Sequence, residues 1–189
     1  MKKKVLLLDN FDYFTFNLLH QLEEAGADCT VMRNNDRGLF DAAAEAQALV
    51  LSPGPCTPAE SGLMMQVIDA FHLHKPFLGI CLGHQALGKY FGASLKRAPQ
   101  PVHGKVSVIH TAADPWIQSP GIHYPVMRYH SLVLDGLPAE LKPLAWSDDG
   151  CLMAMRHLHL PIFGVQFHPE SIGTSGGQRL IQWFMSQID

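Results

Sequence analysis

The chain has 189 residues, with 14 lysines and arginines against 17 aspartates and glutamates, and 47% of its residues are hydrophobic. This length predicts one domain, residues 1–189, whose core is large enough to need neither disulfides nor a structural metal. The formal charge of −3 argues against a nucleic-acid-binding surface. No apolar stretch approaches the ~20 residues that span a bilayer, and the run after Lys4 is too short for a signal peptide. We therefore expect a cytoplasmic protein that binds neither nucleic acid nor membrane, with its cysteines as free thiols.

Short apolar runs alternate with segments of helical period in the first half of the chain, which is typical of βαβ units. Strands are predicted at residues 4–9, 29–33, 48–51 and 77–80. Because these runs are almost continuously apolar, we expect strands that are buried on both faces of a parallel sheet. Helices are predicted at residues 15–25 and 62–72, and Gly26 fits the end of the first. The apolar stripe of the first helix consists of Phe16, Leu18, Leu19 and Leu22.

The remainder of the chain is rich in strands with little helix between them. Residues 106–109, 125–129, 144–147, 153–156 and 162–166 are predicted strands, and the segment 148–150 is a hairpin-turn signal. An amphipathic helix is predicted at residues 176–187. The fold class predicted is α/β: an open, twisted, mainly parallel sheet flanked by helices in a single domain, with an antiparallel extension.

Cys81 lies in the motif G-I-C-L-G at residues 79–83, after a predicted strand and before a helix predicted to start near residue 84. Strand, sharp turn and helix in this order are the context of a nucleophile elbow, with cysteine in place of serine. The flanking glycines allow close passage of neighbouring chain, and a helix N-terminus favours the thiolate. The alternative is a buried core cysteine next to two loop glycines. The order of the elements favours a nucleophile.

His168 and Glu170 follow the last predicted strand, so they can emerge at the same edge of the sheet as Cys81. A thiolate that attacks a carbonyl needs a base, and the base needs a group that orients it. A histidine beside Pro169 would by itself be read more simply as a loop residue. Together with the elbow cysteine, the pair is predicted to be catalytic.

The loop S-P-G-P-C-T-P at residues 52–58 contains three prolines and follows a predicted strand. Gly54 leaves its backbone N–H free to approach a substrate. With the N–H of Leu82, it would form a two-donor oxyanion hole, in which each donor contributes about 3–4 kcal/mol. Without the elbow, this segment would be simply a rigid surface loop.

Other sequence features favour no additional chemistry. His72 with His74, and His157 with His159, have H-x-H spacing, but no neighbouring cysteine or carboxylate completes a ligand set. No G-x-G-x-x-G motif or P-loop follows the first strand, which disfavours a flavodoxin-like nucleotide-binding protein. We predict neither a metal nor a cofactor.

Two motifs resemble the signatures of the class I glutamine amidotransferases with a Cys-His-Glu triad: G-I-C-L-G-H-Q at residues 79–85 and G-V-Q-F-H-P-E at residues 164–170. S-P-G-P at 52–55, H-G-K at 103–105 and R-Y-H-S-L at 128–132 narrow the resemblance. They look like the small glutamine-hydrolysing subunits of anthranilate synthase and aminodeoxychorismate synthase. The resemblance covers essentially the whole chain.

The resemblance implies that Cys81 attacks the carboxamide of L-glutamine and that His168, oriented by Glu170, protonates the departing ammonia. A γ-glutamyl thioester then remains and is hydrolysed to glutamate. The implied glutamine-binding residues are Gly54, Pro55, Cys56, Gln85, Ser131 and Leu132. The implied partner is a larger chorismate-binding synthase subunit, which receives ammonia through an internal passage in a hetero-oligomer.

Several alternatives stay open at this point. The chain could be a non-catalytic module that activates a partner, or a stand-alone hydrolase of γ-glutamyl compounds. The segment C-T-P at residues 56–58 looks more like the aminodeoxychorismate version than the anthranilate version, and one subunit can serve both.

The sequence departs from the family pattern at two positions. Tyr13 stands where the family usually has serine, which predicts a changed partner interface or entry loop. Gly173 replaces an expected larger apolar residue, which predicts a looser loop.

Overall fold

A computed structural model of the protein describes residues 2–114 and 123–189. The strands are β1 (Lys3–Asp9), β2 (Ala27–Arg33), β3 (Ala48–Leu51), β4 (Phe77–Ile80), β5 (Ser94–Arg97), β6 (Lys105–Thr111), β7 (His123–Arg128), β8 (Leu132–Asp135), β9 (Leu141–Ser147), β10 (Leu152–His157) and β11 (Ile162–Val165). The helices are α1 (Thr15–Glu24), α2 (Leu39–Glu45), α3 (Met64–Phe71), α4 (Leu82–Tyr90) and α5 (Gly177–Ser186). A 3-10 turn at Pro58–Glu60 precedes α3. Across the two described ranges, no helix is long and apolar enough to cross a membrane.

Nine of the described strands form one sheet in the order β2-β1-β3-β4-β11-β10-β9-β6-β7. The first five in this order run parallel, since β1 pairs with β2 and β3, β4 pairs with β3, and β11 pairs with β4 in parallel register. The other neighbours pair antiparallel. The predicted parallel sheet, its antiparallel extension and the return of the chain to the main sheet at β11 are therefore confirmed.

Alternating side chains of β1 enter two cores, one on each face of the sheet. Val5 and Leu7 pack in the core that also contains buried residues of α1 and α5. Leu6 and Leu8 pack in the opposite core, against residues of α2, α3 and α4. This alternation follows from the period of two in a strand, and it explains why the central strands are apolar at every position. Each fully buried leucine contributes about 1.5–3 kcal/mol to folding.

Several sequence predictions are wrong in detail. Phe16 is 71% exposed, because Leu18 and Leu22 define the buried side of α1 and Phe16 lies about 200° away from Leu18 on the helix. β2 is an edge strand with alternating exposure, because only β1 pairs with it. Helix α4 begins at Leu82, two residues before the predicted start.

Two predicted glycine positions are confirmed. Gly26 has the positive φ, 95°, expected after α1, and Gly150 has φ 75° in the predicted hairpin turn.

The sequence analysis missed three elements, namely α2, β5 and β8. Helix α2 has seven residues, of which only Leu39 and Ala43 are buried, so its periodicity is too short to detect. β5 and β8 form a separate two-stranded antiparallel sheet. Residues 98–131 separate its two strands, and a strand of four residues carries little pattern of its own.

Candidate active site

Backbone strain is concentrated at one edge of the parallel sheet. Phe11, Cys56 and Cys81 are the described non-glycine residues with positive φ, at 61°, 66° and 51°. They lie in the segments that follow the carboxyl ends of β1, β3 and β4 respectively. Such conformations cost about 1–3 kcal/mol each and persist where surrounding structure imposes them, which is common at functional sites. The same edge is where open α/β sheets bind ligands.

The backbone of Cys81 makes the sharp turn from β4 into α4. Its φ is 51° and its ψ is −101°, and its N–H donates to the Val165 carbonyl at 2.8 Å. A Cβ added to Gly79 would lie 2.5 Å from the Gly83 carbonyl carbon, and one added to Gly83 would lie 2.4 Å from the Leu51 oxygen. Both glycines are therefore required sterically, as the elbow interpretation predicted. The turn leaves Cys81 buried at the N-terminus of α4.

The His168 imidazole is buried and is held from several sides. Its Nδ1 lies 2.5 Å from Glu170 Oε1. The rings of Tyr129 and Phe14 meet the imidazole edge-on, with centroids 5.0 Å and 6.2 Å away. The Thr174 hydroxyl donates to the His168 carbonyl at 2.6 Å. Residues 2–114 and 123–189 offer no hydrogen bond of good geometry to His168 Nε2, which leaves that nitrogen available.

Electrostatics favour a protonated His168. Burial alone would lower the pKa of His168, but interactions with Cys81 and Glu170 outweigh burial and raise this pKa to about 10. The imidazolium is therefore the stable form at neutral pH, and Cys81 is close enough to contribute to that stability. Nearby, burial raises the pKa of Asp12, while the Phe14 N–H and the charge of His168 oppose the rise.

The loop after β3 packs tightly against the start of α4. A Cβ on Gly54 would lie 2.5 Å from the Asn10 Cβ and 3.0 Å from the Leu82 Cδ2, so Gly54 and Leu82 lie close together. Asn10 ties the loop to β1, since its Nδ2 donates to the Ser52 carbonyl at 2.9 Å. Pro55 and Cys56 are exposed on the same loop. Asn10 is a buried polar residue that the sequence analysis did not select.

Gln85, Leu132 and Cys81 are brought together by a residue that the sequence analysis did not select, Gln166. Gln85 Nε2 donates to the Leu132 carbonyl and to Gln166 Oε1, each at 3.0 Å. Gln166 Nε2 in turn lies 3.5 Å from Cys81 Sγ. Ser131, which precedes Leu132, is exposed. The sequence did contain a signal for Gln166, since this polar residue directly follows a buried strand within the G-V-Q-F-H-P-E motif.

An ion pair between a buried arginine and a partly exposed aspartate lies next to the segment that carries Ser131 and Leu132. Arg128 is 3% exposed, and its guanidinium donates to both Asp149 carboxylate oxygens at 3.1 and 3.0 Å. Its Nε donates to His130 Nε2 at 3.0 Å. Because the guanidinium can only donate, His130 Nε2 must accept and carry no proton. Burial, reinforced by the Arg128 charge, lowers the pKa of His130 to about 4, which agrees with a neutral ring.

The loop that contains Gly173 is attached to β7 by two hydrogen bonds on the C-terminal side of this glycine. Thr174 Oγ1 accepts from the Met127 N–H at 3.0 Å, and the Ser175 N–H donates to the Pro125 carbonyl at 2.9 Å. A Cβ on Gly173 would lie 2.4 Å from Met127 Cε. The Met127 side chain therefore fills the space that a larger residue would occupy.

The four cysteines all lie in the described residues and are free thiols. Burial raises the pKa of Cys29 to about 12, and burial also raises that of Cys151. Cys56 is exposed on its loop, so it is more open to solvent than a residue that simply lines a pocket. Among the four, only Cys81 lies on the strained turn beside a histidine–carboxylate pair.

The family model for class-I glutamine amidotransferases matches residues 6–188. The chain belongs to this family. The resemblance inferred from the two motifs is therefore confirmed, and with it the expected fold and enzyme class.

Relatives of this chain carry names from two synthase systems. An aminodeoxychorismate synthase of Streptomyces griseus is 46% identical over 96% of this chain, which spans only 25% of that protein. Anthranilate synthase component 2 of Azospirillum brasilense is 42% identical, with 96% of this chain and 95% of that protein covered. Aminodeoxychorismate synthase component 2 of Escherichia coli K12 is 43% identical, with 96% and 98% covered.

Solved structures agree with the fold. A candidate GMP synthase subunit from Thermoplasma acidophilum superposes with a TM-score of 0.87 at 25% identity, covering 99% of this chain and 96% of that one. A glutamine amidotransferase from Thermotoga maritima has a TM-score of 0.77 at 20% identity, covering 98% and 82%. The second likeness concerns the fold alone.

Proposed function

We propose that this glutamine amidotransferase hydrolyses L-glutamine at Cys81 and passes the ammonia to a larger chorismate-binding synthase subunit. The observation that carries the proposal is the strained Cys81 turn at the N-terminus of α4, beside the buried His168–Glu170 pair. Positive charge and free N–H groups at the start of a helix stabilise a thiolate. A protonated His168 beside it supplies the acid that a departing amine requires.

In the proposed first step, the Cys81 thiolate attacks the carboxamide carbon of glutamine and forms a C–S bond. The N–H groups of Gly54 and Leu82 stabilise the oxyanion of the tetrahedral intermediate. His168 gives its proton to the amide nitrogen, the C–N bond breaks, and ammonia leaves a γ-glutamyl thioester. Glu170 holds the imidazole in orientation through Nδ1, so that Nε2 faces the reacting atoms.

In the proposed second step, the now neutral His168 takes a proton from water, and the resulting hydroxide attacks the thioester carbonyl. The C–S bond breaks, glutamate leaves, and the Cys81 thiolate beside a protonated His168 is restored. Gln85, Leu132 and Ser131, with the loop residues Gly54, Pro55 and Cys56, are proposed to hold the glutamine. The contact of Gln85 with the Leu132 carbonyl supports a shared role for these two.

A docking face for the synthase partner is proposed around the mouth of the site. Tyr13 is 98% exposed, and Phe16 and Ile172 are also exposed apolar residues on segments that flank Phe14 and His168. Large apolar side chains left exposed near a site are typical of interaction surfaces where they form one patch. Docking there would enclose the released ammonia, which bulk water would otherwise protonate. The component 2 names of the relatives support a second subunit.

For the pathway, we propose aminodeoxychorismate synthesis, on the resemblance of the C-T-P segment at residues 56–58. Service to anthranilate synthase, or to both, is the second candidate, since relatives named for each system have 42% and 43% identity. We propose the cytoplasm as the site of action, where free thiols stay reduced.

The test combines the chain with glutamine, chorismate and either type of large subunit, and measures aminodeoxychorismate, anthranilate and glutamate. We expect product from glutamine in one mixture, or in both for a shared subunit. Cys81→Ala is expected to abolish glutamine-dependent synthesis and to leave ammonia-dependent synthesis by the complex intact. Equal loss of both activities in this variant would make Cys81 structural.

Two other outcomes would support the alternatives. Glutamate released without any partner, with no product in either mixture, would indicate a stand-alone hydrolase. Stimulation of a partner without glutamate release would indicate a non-catalytic module. For the docking face, Ile172→Glu should weaken co-purification with the large subunit, whereas Leu73→Glu, at an exposed leucine elsewhere on the chain, should leave it unchanged.

A further inference from the structure

The proposed mechanism leaves one fully buried polar side chain beside the nucleophile without a role. Gln166 is 0% exposed, and its Nε2 lies 3.5 Å from Cys81 Sγ. Its backbone is also fixed, since its N–H donates to the Met153 carbonyl at 2.9 Å. A buried side-chain amide that lacks hydrogen-bond partners is costly, so the groups on either side of it determine its orientation.

The direction of the hydrogen bonds around Gln166 follows from a group that cannot be reversed. The Leu132 backbone carbonyl can only accept, so the end of the Gln85 amide that lies 3.0 Å from it must be the NH2 group. The same NH2 group lies 3.0 Å from Gln166, which therefore presents its oxygen to Gln85. The NH2 group of Gln166 is left facing the sulfur of Cys81.

We propose that Gln166 is a positioning residue that presents an N–H donor to Cys81 Sγ and so favours the thiolate over the thiol. The inference rests on the proposed role of Cys81 as the nucleophile. A donor next to sulfur stabilises the anion more than the neutral thiol, because hydrogen bonds to charged groups are the stronger ones. Gln166 acts together with the helix N-terminus and His168.

The same geometry connects the sulfur to the proposed glutamine-binding residues. Leu132, Gln85 and Gln166 form a relay whose last member contacts Cys81. Because Gln85 determines which end of the Gln166 amide faces the sulfur, a change at Gln85 alters the environment of Cys81 without touching it. This remote effect distinguishes a relay from simple packing.

The first test is Gln166→Met, which keeps a similar length in a buried site and removes the N–H donor. We expect the midpoint of the pH dependence of Cys81 alkylation by iodoacetamide to rise by about one pH unit, a roughly tenfold loss of thiolate below the midpoint. The exposed Cys56, followed by peptide mass in the same samples, is the internal reference and should not change. An unchanged midpoint at Cys81 in a folded variant would overturn the proposal.

The second test examines the relay through Gln85→Met. Methionine has a similar length but no N–H group, so the Gln166 oxygen loses its donor and the Gln166 NH2 group is no longer fixed towards the sulfur. The alkylation midpoint should rise although Gln166 is intact. In the double variant with Gln166→Met, the shift should be smaller than the sum of the two single shifts, whereas a purely additive result would overturn the relay.

If Gln166→Met does not fold, as judged by circular dichroism, Gln166→Asn takes its place, because it keeps an amide but withdraws it from the sulfur. The same rise in midpoint is expected, and its absence would again overturn the proposal. Alkylation requires neither glutamine nor a partner. Failure of the chain to hydrolyse glutamine would therefore count against the proposed function only. The midpoints of Cys81 alkylation decide the role of Gln166 separately.

Discussion

The nucleophile side and the acid–base side of the candidate site are held in place by different kinds of contact. Cys81 is positioned by a turn of a few residues, in which Gly79 and Gly83 permit close backbone approach. His168 is positioned by Glu170, two residues away, and also by rings far away in the chain, those of Phe14 and Tyr129. A strained turn requires few residues but tolerates no added atoms. The imidazole requires many remote contacts, each of which can be altered separately.

The largest expected effect is on the nucleophile side. Gly83→Ala would place a Cβ 2.4 Å from the Leu51 carbonyl oxygen. Because the added atom would meet backbone rather than the end of a flexible side chain, the structure has little room to relax. We expect the free energy of unfolding in urea to fall by about 3 kcal/mol. The matched control is Gly38→Ala, whose Cβ would meet the ends of two side chains, Met32 Cε at 3.3 Å and Asp36 Oδ1 at 3.5 Å. Equal effects of the two variants would contradict the steric explanation of the elbow.

A smaller effect is expected behind the acid–base side. Asp149→Asn removes the charge that pairs with the buried Arg128 guanidinium. We expect the free energy of unfolding to fall by about 2 kcal/mol, less than for a fully buried pair because Asp149 is partly exposed. Asp148→Asn, at the exposed neighbouring position, should change it by less than about 0.5 kcal/mol. If the free energy of unfolding of Asp149→Asn equals that of the wild type, the ion pair does not stabilise the segment that carries Ser131 and Leu132.

The same pair predicts how stability depends on acid pH. Burial raises the pKa of Asp149, but the hydrogen bonds from Arg128 and Ser147 outweigh burial and lower this pKa to about 2. Its contribution to stability is therefore present above the ordinary value of 3.8 and lost as pH falls through about 2. We expect the free energy of urea unfolding of Asp149→Asn, measured between pH 3.8 and about 2, to vary less with pH than that of the wild type.

Glu170→Gln tests the acid–base side itself, through the titration of His168, whose Nδ1 contacts this carboxylate. The pKa of His168 is raised to about 10 from 6.5, so its contribution to stability is present below 6.5 and lost as pH rises through about 10. Removing the Glu170 charge should move this pKa back towards 6.5, as measured by NMR titration of the imidazole. Glu45→Gln, at an exposed glutamate, is the control. An unshifted His168 would mean that Glu170 does not stabilise the imidazolium.

Much of the candidate site could be predicted because its signals are local in the chain. The glycines around Cys81, the placement of His168 and Glu170 after a strand, and the loop with Gly54 are all visible in short segments. Gln166 lies within one of the same motifs but was not selected, because its polar character has meaning only once the neighbouring strand brings Cys81 next to it. The bond between Arg128 and Asp149 was equally invisible, since it joins two hairpins.

In the fold, too, features with a local signal were predictable and features that depend on remote pairing were not. The parallel strands were predictable because burial on both faces requires apolar residues at every position, as β3 and β4 show. β5 and β8 were not, because their short segments become strands only by pairing with each other. Phe16 was assigned to the wrong side of α1 because a helix with a broad apolar stripe does not reveal which part of it faces the sheet.

The amino-acid sequence by itself revealed the elbow motif around Cys81 and the apolar strands that place it at a sheet edge, because both signals stand in short segments of the chain. The tertiary structure decided which side chains surround the sulfur and the imidazole. Hydrogen-bond direction in the relay through Gln85 and Gln166 depends on the backbone carbonyl of Leu132, which the fold brings next to Gln85 from 47 residues away in the chain. Contacts of this kind form between segments whose separation in the chain says nothing of their distance in space.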